Sequence, residues 1–297
     1  MAIENMRTWK IGDVEITRIV EVNNWEDDIT MLLPDATPDT VLAYPWLQPH
    51  FATPEGKMIL SFQCFVMRTP EHQIMLDTCI GADRQREFDV FTNMQTDFLD
   101  DLAHAGFSPK DIDVVLCTHL HFDHVGWNTR LVDGEWVPTF PNARYLFGRN
   151  EYEHWKMLED TNGYHDLNHM ADAVGPVVDA GLVDLIEPEH QICPEISLRQ
   201  TPGHTPGHVS IRIESQGKPA IVTGDMMHNP IQFERPNDAG RFDMDQVQAG
   251  RTRKQFVDDM ANSSVFVIGS HFSDPTGGFV VRDSDGCRLE QTPAVKD

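Results

Sequence analysis

The chain has 297 residues, 40% of them hydrophobic and 24% charged, which is the composition of an ordinary globular protein. Size scaling buries about three quarters of the unfolded surface, enough for a large core without staples. Acidic residues outnumber basic ones 47 to 23, and a formal charge of −24 repels phosphate backbones and anionic lipid, so neither nucleic acid nor a membrane is an expected partner.

The first residues, MAIENMRTWKIGD, carry no apolar h-region and no small-residue cleavage site, so no signal peptide is expected. No apolar run approaches the length of about 18 residues that a membrane span needs. Cys64, Cys79, Cys117, Cys193 and Cys287 are scattered, odd in number and without C-x-x-C spacing. Reduced thiols and a cytoplasmic location are the expectation.

Residues 9–22 (WKIGDVEITRIVEV) alternate apolar and polar around Gly12–Asp13 and predict strand structure. Residues 23–56 hold five prolines among large apolar side chains, which predicts an ordered loop with a short helix. That loop either packs against a sheet edge or covers an active site as a lid. Strands are expected at 61–69 and 73–81, and a helix near 95–106 ending at Gly106. Val114–Cys117 is apolar throughout, as in a strand buried on both faces. A helix is expected at 150–160, and strands at 182–186, 196–200, 209–214 and 219–223. A helix with an exposed basic stretch should cover 245–260, followed by a buried strand in SSVFVIGSHF (263–272) and a closing hairpin with Asp-Gly in its turn. With no repeat or linker, residues 1–297 read as one domain.

The chemistry concentrates in THLHFDHVGW at 118–127, where His119, His121, Asp123 and His124 fall within six residues. In an extended chain His119, His121 and Asp123 share one face, while a turn lets His124 point elsewhere, so one segment can serve two neighbouring metals. Further donors stand at strand ends: His204 and His208 in TPGHTPGH, where Gly203 and Gly207 allow tight turns, Asp225 after the apolar AIVTG, and His271 after the apolar VFVIGS. Singly each fits a capped turn or a core histidine. Together they form a series of ligands at strand ends.

LDTCIG (76–81), the H-x-H-x-D-H segment, TPGHTPGH, TGD and GSH together resemble the metallo-β-lactamase superfamily over residues 60–280. The resemblance implies an α/β fold of the αββα sandwich type and two Zn²⁺ per chain, other divalent transition metals being the alternative. It implies His119, His121 and His204 on one metal, Asp123, His124 and His271 on the other, and Asp225 bridging both. Asp225 replaces the cysteine or serine of true β-lactamases. His121 replaces the glutamate of the di-iron oxidoreductases. Only 26 residues follow His271, too few for the C-terminal helical domain of glyoxalase II. The branch that remains holds quorum-quenching lactonases and methyl parathion hydrolase-like enzymes.

The expected activity is hydrolysis of a small lactone or carboxylic ester by a metal-bridging hydroxide, since zinc-bound water ionises near pH 7 (about). An aryl phosphotriester is the alternative substrate, because GDMMHNPIQF (224–233) resembles the organophosphate hydrolases, with His228 where lactonases often carry a catalytic tyrosine. A zinc-binding protein without turnover is the reading of another class. Asp123, Asp225 and His228 are the expected catalytic residues, with His228 either acting on substrate or bracing the ligands. His208 is expected to support its turn, and Trp127 to wall a pocket or fill the core. The partner is a small ester-like molecule, and a homodimer is left open.

Overall fold

The alternation around Gly12–Asp13 becomes a hairpin, β1 (Arg7–Ile11) with β2 (Val14–Asp27), antiparallel and with Ile11 opposite Val14. The protein is represented by a computed structural model that describes residues 6–164, 168–282, 284 and 286–290. β2 continues through Asn23 and Asn24 to Asp27, past the expected end at Val22. The proline-rich stretch then holds a short helix α1 (Pro38–Leu42), capped by Thr37, whose side chain and that of Thr40 satisfy each other's backbone amides. After β3 (Met58–Arg68) and β4 (Gln73–Leu76) come α2 (Phe98–His104) and β5 (Val114–Leu116). Next are α3 (Phe122–Val125), the hairpin β6 (Thr129–Val132) and β7 (Glu135–Pro138), β8 (Arg144–Gly148), α4 (Arg149–Thr161), a π-turn at Met170–Val174, α5 (Gly175–Asp179) and β9 (Val183–Ile186). The remainder is β10 (Gln191–Cys193), β11 (Ile196–Gln200), β12 (Val209–Ser215), β13 (Lys218–Val222), α6 (Ile231–Glu234), α7 (Gln246–Met260), β14 (Phe266–Ile268), β15 (Gly277–Arg282) and β16 (Cys287–Glu290).

These elements make two seven-stranded sheets, ordered β1-β2-β3-β4-β5-β8-β9 and β10-β11-β12-β13-β14-β15-β16. In the first, β4, β5, β8 and β9 run parallel. In the second only β13 and β14 do. β5 and β14 each lie between two neighbouring strands and are wholly apolar, as strands covered on both faces are. β14 is shorter than the expected 263–272, since the chain leaves the sheet after Ile268 to bring out Ser270 and His271. β15 and β16 pair as the expected hairpin, and Asp283 and Asp285 of its turn lie outside the described residues.

The chain forms two compact units, Met1–Glu21 with Phe62–His190 and Val22–Ser61 with Gln191–Asp297. In the second, Ile29, Leu32, Leu33, Val41, Leu47 and Phe51 from the proline-rich stretch pack into one core with Ile221, Phe233, Phe256, Val267 and Phe272. α7 presents the expected basic stretch to solvent only in part. Arg251 and Lys254 are exposed, but Arg253 is 0% exposed, because carbonyl and carboxylate oxygens surround its guanidinium. All five cysteines are buried and unbridged. Among the described residues no helix is long and apolar enough to cross a membrane.

Candidate metal centre

In the first unit the donors gather where β5 ends. The extended path stops at His121, the residue before α3, so Asp123 and His124 lie on a helical turn rather than continuing the face of His119 and His121. The ring of His119 is 4.6 Å from that of His121 and 4.1 Å from that of His124. His119 Nε2 stands 2.9 Å from His121 Nδ1, and His124 Nε2 stands 3.7 Å from Asp123 Oδ2. His119 and His124 are buried, while His121 and Asp123 are half-buried.

Asp77 organises this turn. Its Oδ1 accepts the Thr118 amide at 2.8 Å and its Oδ2 lies 2.9 Å from His124 Nδ1. The Thr118 hydroxyl donates to the same carboxylate and lies 3.1 Å from His119 Nδ1. A carboxylate only accepts, so His124 carries its proton on Nδ1 and leaves Nε2 bare. With the Thr118 proton on Asp77, His119 is placed in the same way.

The turn is locked onto the 77–81 loop. His124 O accepts from Thr78 N, Cys79 O from Gly126 N, and Thr78 O from Trp127 N, at 2.7–2.8 Å. A Cβ on Gly126 would lie 2.0 Å from Ile80 O, so only glycine allows this approach. Glu21 accepts from the Ile80 amide at 2.6 Å and the Trp127 indole at 2.6 Å. Burial raises the Glu21 carboxyl above the ordinary range despite these donors. Trp127 stacks on Phe98 at 5.1 Å and is core.

In the second unit Asp225 sits in a 3₁₀ turn after β13 with three imidazoles around its carboxylate. His204 Nε2 is 3.6 Å away, His228 Nε2 3.1 Å and His271 Nε2 3.2 Å. His271 Nδ1 faces the Ser61 carbonyl at 3.0 Å, and His204 Nδ1 faces Asp243 Oδ1 at 3.4 Å. Both oxygens accept only, so again Nδ1 is protonated and Nε2 is bare. Burial pulls the pKa of His204 down to about 4, against the pull of Asp243 and Asp225, which keeps its imidazole neutral. Burial pushes Asp243 up, but His204 and Arg253 outweigh it and hold the carboxylate below its usual range.

His208 joins two loops instead of facing Asp225's carboxylate. Its Nε2 accepts the Asp225 amide at 2.8 Å and its Nδ1 lies 2.8 Å from the Thr201 hydroxyl. His228 stacks on His271 at 5.5 Å and meets His204 edge-on at 5.0 Å. No hydrogen-bond acceptor stands at its buried Nδ1 among the described residues, unlike the other three.

These donors suit a divalent transition metal. Ligating imidazoles commonly have their far nitrogen tied to an oxygen, and His119, His124, His204 and His271 each have Nδ1 facing one. Asp77, Thr118 and Asp243 were not singled out from sequence. Asp77 lies inside LDTCIG and had a signal in that motif, whereas Asp243 had none.

A family model described as the metallo-beta-lactamase superfamily matches residues 63–283, and the chain belongs to that superfamily. Its fold is the α/β fold of that superfamily. Among curated proteins the chain is 26% identical over 204 residues to an N-acyl homoserine lactonase of a Bacillus species, covering 64% of this chain and 74% of that one. It is 30% identical over 151 residues to the N-acyl homoserine lactonase AttM of Rhizobium radiobacter, 46% of this chain and 49% of that one. Among solved structures, the hydrolase AbOPH of the beta lactamase superfamily superposes with a TM-score of 0.79 at 23% identity, over 99% of both chains. AidC, a dizinc quorum-quenching lactonase, gives 0.78 at 20% identity, over 97% of this chain and 98% of that one.

Proposed function

We propose that the protein is a binuclear zinc hydrolase that opens a small lactone or cleaves a small carboxylic ester. In this reading His119, His121, His204 and Asp225 hold one ion, and Asp123, His124, Asp225 and His271 hold the other. The observation that carries it is the common presentation of four buried histidines, each with Nδ1 facing an oxygen and Nε2 facing another candidate ligand. When bound, the two ions supply Lewis acidity and water activation near neutral pH. The chain's part is to fix the ligands, tie their Nδ1 atoms to oxygens and hold the Asp225 carboxylate against the imidazoles of His204, His228 and His271. The lactonase relatives support a lactone as first substrate.

The test is metal analysis followed by kcat/KM on a lactone, an aryl ester and an aryl phosphotriester with the zinc-loaded protein. Two ions per chain and a preference for the lactone or ester are expected. A stoichiometry fixed at one removes the binuclear reading. Two ions with no turnover of any substrate leave a non-catalytic zinc protein. A phosphotriester preference would favour the second reading, which rests on His228 in GDMMHNPIQF.

His228 braces the ligands in this scheme, because its ring packs on His204 and His271 and its Nε2 reaches Asp225. His228→Ala is expected to lower zinc affinity about 10- to 100-fold, as loss of a supporting partner does. Chelator competition measures this. If His228→Ala and His228→Tyr both keep two zincs yet lose the same large factor in kcat, His228 acts on the substrate instead.

A further inference from the structure

Asp243 and Arg253 lie outside every motif that marks the metal ligands, yet they form a closed chain to one of them. Asp243 Oδ2 accepts from the Gly240 amide at 3.1 Å and from Arg253 Nη1 at 2.9 Å. That leaves Oδ1 for His204 Nδ1. Arg253 spends its other donors on backbone, Nε to the Pro236 carbonyl at 3.0 Å and Nη2 to the Asp238 carbonyl at 2.9 Å. The side chains of both residues are almost wholly shielded, with exposures of 0% for Arg253 and 1% for Asp243.

The backbone repeats the connection. Met244 N donates to His204 O at 3.0 Å and Asp245 N to Gly203 O at 2.9 Å. The Thr252 hydroxyl donates to Pro202 O at 2.6 Å. A Cβ on Gly203 would fall 2.3 Å from the Ala249 amide nitrogen, so α7 lies directly on the TPGH turn. The contact at His271 is of a different kind. Its Nδ1 faces a main-chain carbonyl.

We propose that Arg253 and Asp243 are a positioning pair that fixes the tautomer and orientation of His204, so that α7 sets the affinity of the ion held by His204 and leaves the other ion alone. The reason for a carboxylate is that it can only accept, which forces the proton onto Nδ1. An asparagine could turn its amide to His204 and donate instead. Arg253 prevents any rotation of the carboxylate by holding Oδ2 while its own fork is pinned by two carbonyls.

The inference rests on the binuclear reading for its consequence but not for its premise, which concerns the metal-free protein. The experiment therefore has two parts. Nitrogen-15 NMR of the histidines in metal-free wild type, Asp243→Asn, Arg253→Met and Arg253→Lys reads the tautomer of His204. Chelator competition on the same proteins reads the two zinc affinities. Wild type is expected to show His204 protonated on Nδ1. Asp243→Asn and Arg253→Met should mix or reverse that tautomer and weaken one ion about 10- to 100-fold, with the other changed by less than about threefold. Arg253→Lys should recover part of the loss, since it restores a cation to Asp243 but not the fork. An unchanged tautomer in Asp243→Asn overturns the proposal. So does equal weakening of both ions in step with a fall in melting temperature, which is what a structural role alone would give. Fewer than two ions in wild type would remove the binuclear reading, and the tautomer result would still decide for or against Asp243. Should Arg253→Met fail to fold, Asp243→Asn decides alone.

Discussion

Asp225→Asn is expected to lower kcat by at least about a hundredfold, roughly 2.7 kcal/mol of barrier. Asp225 is buried, and three imidazole nitrogens stand within 3.6 Å of its carboxylate. Each of its two oxygens has a separate neighbour, Oδ1 toward His271 and Oδ2 toward His204 and His228. An amide keeps the shape but is neutral, and one of its two ends donates rather than accepts. It cannot serve both sides. The backbone contribution survives, because the Asp225 amide that donates to His208 is unaltered by the substitution. The fold should therefore hold, and KM should move less than kcat. Measurement of kcat on protein with verified metal content checks this, and a near-normal kcat in fully metallated mutant would contradict it.

Asp172→Ala is expected to destabilise the first unit by about 3 to 5 kcal/mol, the usual result of stripping one partner from a buried ion cluster. Asp172 lies in the π-turn and faces two arginines. Arg84 Nη1 donates to Oδ1 at 2.7 Å and Arg86 Nη1 to Oδ2 at 2.7 Å. The side chains of Arg84 and Arg86 are 1% and 0% exposed, so neither charge can turn to water when the carboxylate is gone. Burial already pulls the pKa of Arg84 down to about 10, with Asp172 resisting. Arg84 also donates to the Thr129 carbonyl at 2.7 Å and lies 4.1 Å over Trp136, so its displacement would loosen the β6–β7 hairpin as well. Urea unfolding measures the loss. A change below about 1 kcal/mol would mean that water reaches the guanidinium groups.

The sequence carries a readable signal for the candidate site where that signal is local. His119, His121, Asp123 and His124 stand out because their spacing alone is improbable, His204 because it lies in the turn-forming TPGHTPGH, and Asp225 and His271 because each follows an apolar strand. What failed to show has long-range causes. Asp243 reaches His204 from 39 residues away, and nothing around it resembles a ligand motif. Arg253 sits in a charged helix whose pattern reads as solvent-facing, and only the folded carbonyls of Pro236 and Asp238 reveal why it is buried. The spacing places Asp123 on one extended face with His119 and His121, but the chain turns helical at Phe122. The β6–β7 hairpin is weakly marked in the sequence although Asp133–Gly134 is a strong turn signal, since its strands are four residues each and only Thr129 of them is buried. The proline-rich stretch reads correctly as ordered, and its partners are invisible locally because they lie at positions 221–289.

That last feature bears on biosynthesis. A ribosome releases Ile29, Leu32, Leu33, Val41, Leu47 and Phe51 long before Ile221, Phe233, Phe256 and Phe272 exist to cover them. At about 5 to 20 residues per second the wait is on the order of 10 to 50 s. Throughout it the nascent chain carries an unshielded apolar segment, while much of the first unit, from Phe62 onward, can already collapse around its own strands. Premature termination after the first unit would therefore leave a soluble-looking sheet tethered to a sticky loop. Such truncated products should aggregate or be captured by holdase chaperones, and a circular permutant that begins near residue 62 and carries 22–61 behind residue 290 would shorten the exposure.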